Sequence, residues 1–89
     1  MPQVYFTAHL RSVIARSPVE VQGADVRGAL LSVFQASPQL KGYVLDERGA
    51  LRQHVCIFLD GERLANAAAL DAPVRRSSEI YVMQALSGG

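Results

Sequence analysis

His54-Val55-Cys56-Ile57-Phe58-Leu59-Asp60-Gly61 is the stretch that decides the fold. In an extended chain side chains alternate between two faces, so Ile57 and Leu59 point one way while Cys56 and Phe58 point the other. Both faces are apolar. Asp60-Gly61 is a hairpin dipeptide, because both residues tolerate the left-handed backbone of a tight turn. Glu62-Arg63-Leu64 can then return as a short edge strand.

Working outward toward the C-terminus, Asn66 to Pro73 reads as irregular chain with room for a single helical turn. Arg75-Arg76 reads as a solvated turn. Glu79 to Ala85 is the last strand, and Leu86-Ser87-Gly88-Gly89 leaves it. Toward the N-terminus, Gly42 to Arg52 reads as a loop carrying the turn Asp46-Glu47-Arg48-Gly49 and a strand fragment. Before it, Val26, Ala29, Leu30, Val33 and Phe34 recur at i, i+3, i+4, i+7 and i+8, one apolar stripe on a helix of about three turns. Asp25 stands at the N-cap position, and Ser37-Pro38 ends the helix because the residue before a proline is pushed out of the helical region. Gly28 inside the helix costs about 1 kcal/mol relative to Ala, so packing must hold it. Gly23-Ala24 breaks the chain between the helix and a short strand, Pro18 to Val21, which a turn (Ser12 to Ser17) joins to a first strand, Val4 to Leu10. The expected class is α+β: a mixed sheet of four to five strands against one main helix, in the order β-β-α-β-β-β. One domain is expected over residues 1–85, followed by a flexible tail over 86–89.

The 89 residues suffice for one core, and nearly half of them are hydrophobic, too many for a disordered chain. No apolar run is long enough to span a bilayer, since His54, Asp60, Glu62 and Arg63 interrupt the longest ones. Met1-Pro2-Gln3 carries neither the basic segment nor the apolar stretch of a signal peptide. One cysteine, Cys56, cannot form an internal disulfide and fits a reducing cytoplasm. A net charge of +1 from scattered basic residues recommends no nucleic acid as a partner. His9 and His54 stand alone, and no spacing suggests a metal. Cys56, in the middle of an apolar strand, reads as a packing residue, because a nucleophilic thiol wants positive charge and access. The acidic residues are dispersed, Ser87 has no base arranged for it, and no glycine loop suits a phosphate.

A sheet with one helix has one face covered. Val4, Phe6, Ile57, Leu59, Ile80 and Val82 should hold the covered face against Leu30, Val33 and Phe34. Residues of opposite parity should face water and be polar, yet they include Tyr5, Phe58, Tyr81 and Met83, with Cys56 nearby. Such a patch marks a partner surface. Two alternatives stand beside that reading: the segment Tyr43 to Arg52 folds over the patch, or the chain dimerises through it. The tail leaves from the same strand, so one partner could hold both patch and tail. Two glycines at a chain end give that tail a backbone free of Cβ atoms, able to thread a narrow channel.

These residues resemble the ubiquitin-like β-grasp sulfur carriers: the small subunit of molybdopterin synthase, the thiamin-pathway carrier ThiS and the cysteine-route carrier. The resemblance covers essentially the whole chain. It rests on Val4-Tyr5-Phe6, on Asp25-Val26-Arg27-Gly28-Ala29-Leu30, on Val55 to Gly61, and on Glu79-Ile80-Tyr81-Val82-Met83 running into Gly88-Gly89. The family's strand-ending turn is often Asn-centred where this chain has Asp60-Gly61. Within the family, Leu45-Asp46 and the run from Gly49 to Val55 look more like the cysteine-route carrier than the thiamin one, while the first strand and helix are also similar to molybdopterin-synthase small subunits.

The resemblance implies a mechanism. A terminal carboxylate, with a pKa of about 3.5, is ionised at neutral pH and is a poor electrophile. A ubiquitin-activating-like adenylyltransferase/sulfurtransferase would adenylate Gly89 with ATP, and a sulfur donor would displace AMP to leave a thiocarboxylate. A sulfur-accepting biosynthetic enzyme would then take the sulfur. Leu86, Ser87 and Gly88 would lie in the activating enzyme's channel, and Tyr5, Phe58, Tyr81 and Met83 would be the docking face. The chain itself would bind no cofactor and would be a co-substrate rather than an enzyme, or the small subunit of a sulfur-transferring enzyme such as molybdopterin synthase. A ubiquitin-like modifier conjugated to lysines through Gly89, and an interaction module with an inert tail, remain the alternatives.

Overall fold

The computed structural model describes residues 2–6 and 19–84, with residues 66 and 67 described by backbone alone. Its helix starts where the sequence places it. Asp25 is extended, and its carboxylate accepts the Gly28 amide at 2.8 Å, capping the helix α1 (Val26–Ala36). The other free amides of the first turn are met by the incoming chain: Val26 N donates to Ala72 O and Arg27 N to Leu70 O, at 3.0 and 2.9 Å. Every donor of that turn is thus occupied, so the helix end offers nothing to an anion.

Five strands form one sheet: β1 (Gln3–Phe6), β2 (Val19–Glu20), β3 (Val55–Leu59), β4 (Glu62–Leu64) and β5 (Glu79–Gln84). Their spatial order is β2-β1-β5-β3-β4, with β1 and β5 parallel and the other neighbours antiparallel. The last strand therefore lies in the middle, as a β-grasp sheet requires. The predicted strand beyond Phe6, the Ser12 to Ser17 turn, Pro18, Ala85 and the tail 86–89 lie outside the described residues.

The parity reading holds. Val4, Ile57, Ile80 and Val82 have no exposure and Phe6 has 4%. The whole α1 stripe of Val26, Ala29, Leu30, Val33 and Phe34 is buried with them in one core. Leu59, next to the hairpin, is only partly buried against it. Burial of this kind stabilises by about 25 cal/mol per Å² of apolar surface.

The expected Gly42 to Arg52 loop is more ordered than its composition suggests. Pro38 ends α1 but opens a 3-10 turn (Pro38–Leu40), its fixed φ suiting a first helical position. A one-turn helix α2 (Lys41–Val44) follows directly. Leu45 and Leu51 then bridge, which is the expected strand fragment. Asp46 holds the turn by accepting from Arg48 N and Ala50 N at 2.9 and 3.0 Å, and those amides hold its carboxyl below the usual carboxylate range. Leu40, Val44 and Leu45 are buried in the same core as α1, so this segment sits on the helix side of the sheet and does not cover the other face. A final single turn, α3 (Asn66–Ala69), lies in the stretch read as irregular.

One contact escaped the sequence reading. A Cβ placed on Gly23 would meet Ala29 N at 2.5 Å and Gly28 C at 2.9 Å. Gly23 is thus more than a break: it lets the incoming chain lie directly against the first turn of α1.

Candidate docking face

The register assembles the second face row by row. Tyr5 pairs with Tyr81, Tyr81 with Phe58, and Phe58 with Arg63, so four neighbouring strands contribute one row across the sheet. The next row toward the end of β5 is Met83 opposite Cys56. The Tyr5 and Tyr81 rings stack with centroids 4.5 Å apart and planes 8° from parallel. All four predicted docking residues, Tyr5, Phe58, Tyr81 and Met83, are therefore brought together on the face opposite α1. They are half-buried, because each lies against its cross-strand neighbours. Among the described residues the most exposed large apolar side chains lie elsewhere: Leu31 on α1, at 43%, and Tyr43 on α2, at 47%. Neither falls on the periodic stripe that the sequence reading followed.

The row at the other end of the face is polar. Glu20 pairs with Gln3, and Gln3 with Glu79. The Tyr5 hydroxyl reaches this row at 3.0 Å from Gln3 Oε1 and 3.3 Å from Glu79 Oε2. Partial desolvation first, then the Glu79 charge and hydrogen bond, push the Tyr5 phenol above its ordinary value. Sequence reading passed over Glu20, Gln3, Arg63 and Glu79 because only the strand register shows that they frame the aromatic row.

Asp60 fixes that register. Asp60 and Gly61 take positive φ angles of 51° and 87°, the two-residue turn expected of this dipeptide. The Asp60 amide donates to Glu79 O at 2.9 Å, and its carboxylate accepts Glu79 N at 2.9 Å and the Ser78 hydroxyl at 3.2 Å. Ser78, buried, accepts in turn from Arg75 N. The β3–β4 hairpin is thereby clamped to the start of β5. Arg75 and Arg76 are exposed, as a solvated turn should be.

His54 is exposed at the entry to β3, Cys56 is half-buried, and His9 lies outside the described residues. Among the described residues no three His, Cys, Asp or Glu side chains converge, and no helix is long and apolar enough to cross a membrane. Gly89, with Leu86, Ser87 and Gly88, also lies outside the described residues; β5 ends at Gln84, five positions before it.

Solved structures share this fold over nearly their whole length. SAMP1 from Haloferax volcanii is 26% identical, with 99% of this chain and 98% of that one covered and a TM-score of 0.79. The small archaeal modifier protein 1 from Methanosarcina acetivorans is also 26% identical, over 99% and 95% of the two chains, with a TM-score of 0.84. The chain has the ubiquitin-like β-grasp fold, and its solved neighbours are ubiquitin-fold proteins of the sulfur-carrier and modifier type. A chain of the Amycolatopsis orientalis BexX/CysO complex matches its fold with a TM-score of 0.88 at 21% identity, each chain covered completely. No family model matches the sequence. No curated protein matches it either.

Proposed function

We propose that the chain is a sulfur carrier whose C-terminal Gly89 is adenylated and converted to a thiocarboxylate. The observation that carries this reading is the continuity of β5: the strand that supplies Tyr81 and Met83 to the apolar face runs, within five residues, into Leu86-Ser87-Gly88-Gly89. An activating enzyme docked on that face can draw the tail into its site. The Gly89 carboxylate attacks the α-phosphorus of ATP and releases pyrophosphate. A sulfide-level sulfur then attacks the acyl carbon, AMP leaves with the bonding electron pair, and a thiocarboxylate remains. The driving force comes from ATP, so the carrier needs no catalytic side chain and no cofactor of its own. It acts as a co-substrate in the cytoplasm, handing sulfur to a biosynthetic enzyme of the cysteine or molybdopterin route.

The modifier reading has an observation of its own: two solved neighbours at 26% identity are called small archaeal modifier proteins. The same adenylate would then acylate lysines of other proteins. Intact-mass spectrometry after incubation with ATP, the co-encoded adenylating enzyme and sulfide separates the two. Exchange of one oxygen for sulfur within the C-terminal peptide is expected of a carrier. Lysine adducts on other proteins would establish the modifier instead, and an unchanged mass with active enzyme would reduce the chain to an interaction module. Deleting Gly88-Gly89 should abolish activation while leaving the thermal transition unchanged.

A further inference from the structure

The open face is polarised along β5, and that polarity constrains the partner. Its first row, Glu20–Gln3–Glu79, carries two carboxylates; its second, Tyr5–Tyr81–Phe58, is aromatic and ends at Arg63; its third, Met83–Cys56, is apolar and precedes the tail. We propose that the Glu20–Glu79 row receives a basic side chain of the activating enzyme, with Arg63 facing an acidic one, so that charge fixes the direction in which the tail enters. This rests on the adenylation reading above and goes beyond it by naming the chemistry of the partner surface.

Three features support it. A flat aromatic row reads almost the same from either end, so apolar contact alone cannot tell a partner which way the tail runs. Charge can, because a like-charge juxtaposition in the reversed pose costs several kcal/mol. The acidic row is also electrostatically available. Among the described residues the ion pairs are Arg27–Asp71 and Arg48–Asp46, and neither touches this face. The exposed Arg75 and Arg76, just before β5, join no such pair. Finally, the stacked Tyr5–Tyr81 rings lie beside Glu79, and a cation held by the carboxylate can rest against an aromatic face. The strand also sets a length. Met83 lies four positions after Glu79, about 13 Å at the rise of a β-strand. The enzyme's basic group should therefore stand about that far from the point where its surface meets Met83, on the side away from the tail channel.

The test is ATP–pyrophosphate exchange with the adenylating enzyme of the source organism, varying the concentration of the intact carrier. Glu79→Lys should raise KM about ten-fold with kcat unchanged, and Glu79→Gln should raise it less. The gap between wild type and Glu79→Lys should shrink as salt rises from about 0.05 to 0.5 M. Arg63→Glu should act in the same direction. Glu20→Lys, on a two-residue edge strand, repeats the test should Glu79→Lys disturb the β5 clamp. Equal KM for wild type and both lysine variants would overturn the charge proposal while leaving activation intact. Failure of the wild type to support exchange would overturn the adenylation reading and this one with it. Sedimentation showing a wild-type dimer that Glu79→Lys dissolves would assign the row to a second copy of the chain and overturn the proposal.

Discussion

The same strands present two apolar faces that live differently. Val4, Ile57, Ile80 and Val82 are sealed under α1, while Tyr5, Phe58, Tyr81 and Met83, one residue away along the same backbones, are half-exposed. The covered face is aliphatic apart from Phe6 and interlocks with a helix. The open one is aromatic and sulfur-rich, framed by charges, and nothing among the described residues covers it. Aliphatic side chains suit permanent packing, where shape decides, whereas aromatic and methionine side chains are those enriched at binding surfaces. Hydrophobicity therefore has two meanings in one sheet, and substitutions should separate them.

The largest effect on stability belongs to the covered face. Ile57→Ala removes a side chain with no exposure and should cost about 2–5 kcal/mol, read as a shifted urea midpoint with unchanged slope. Phe58→Ala, its immediate neighbour, should cost about 1 kcal/mol, because part of the ring is already in water. In the activation assay the order should reverse: Phe58→Asp or Met83→Asp should abolish exchange in a folded protein. Equal stability losses at 57 and 58 would mean that both faces are core. Full activity of the aspartate variants would remove the docking role.

Next in size is the joint that presses α1 onto the covered face. Gly23→Ala forces a methyl group to within 2.5 Å of the helix backbone and should cost about 1–3 kcal/mol, with a lower melting temperature. Asp25→Ala leaves the Gly28 amide uncapped and should cost about 1 kcal/mol. Additive losses in the double variant would show two independent locks; a smaller combined loss would show that they hold one turn together.

These same residues mark what could be read from the sequence. The Asp25 cap, the α1 stripe and the two strand faces were legible because each rests on local periodicity or on a side chain reaching a few residues along its own chain. Pairs such as Tyr5 with Tyr81 followed only once β5 was placed beside β1 and β3. The role of Gly23 was not legible, since its meaning lies in a backbone approach that no periodicity encodes. Pro38 was legible as the end of α1 but not as the start of a 3-10 turn, because the stop signal and the first position of that turn are the same residue. Asp60 was legible as a turn residue but not as a clamp, because its partners, Ser78 and Glu79, lie eighteen and nineteen positions away.

The smallest expected effect is the most specific to the open face. Tyr5→Phe keeps the ring stacked on Tyr81 but removes the hydroxyl that donates to Gln3 and Glu79. Near neutral pH these hydrogen bonds, one part-buried and one exposed, should matter little, and the urea midpoint should barely move. At alkaline pH the two proteins should part. The folded-state pKa of Tyr5 is raised above the ordinary 10.0, by partial desolvation first and then by Glu79, so the folded state favours the neutral phenol. That contribution is fully present below pH about 10 and is lost as the pH rises through the raised value. Urea midpoints measured from pH 7 to 11 should therefore fall more steeply for wild type than for Tyr5→Phe above pH 10. Parallel curves would mean that neither desolvation nor Glu79 raises the phenol in the folded state, and the acidic end of the docking face would lose the aromatic neighbour on which its reading partly rests.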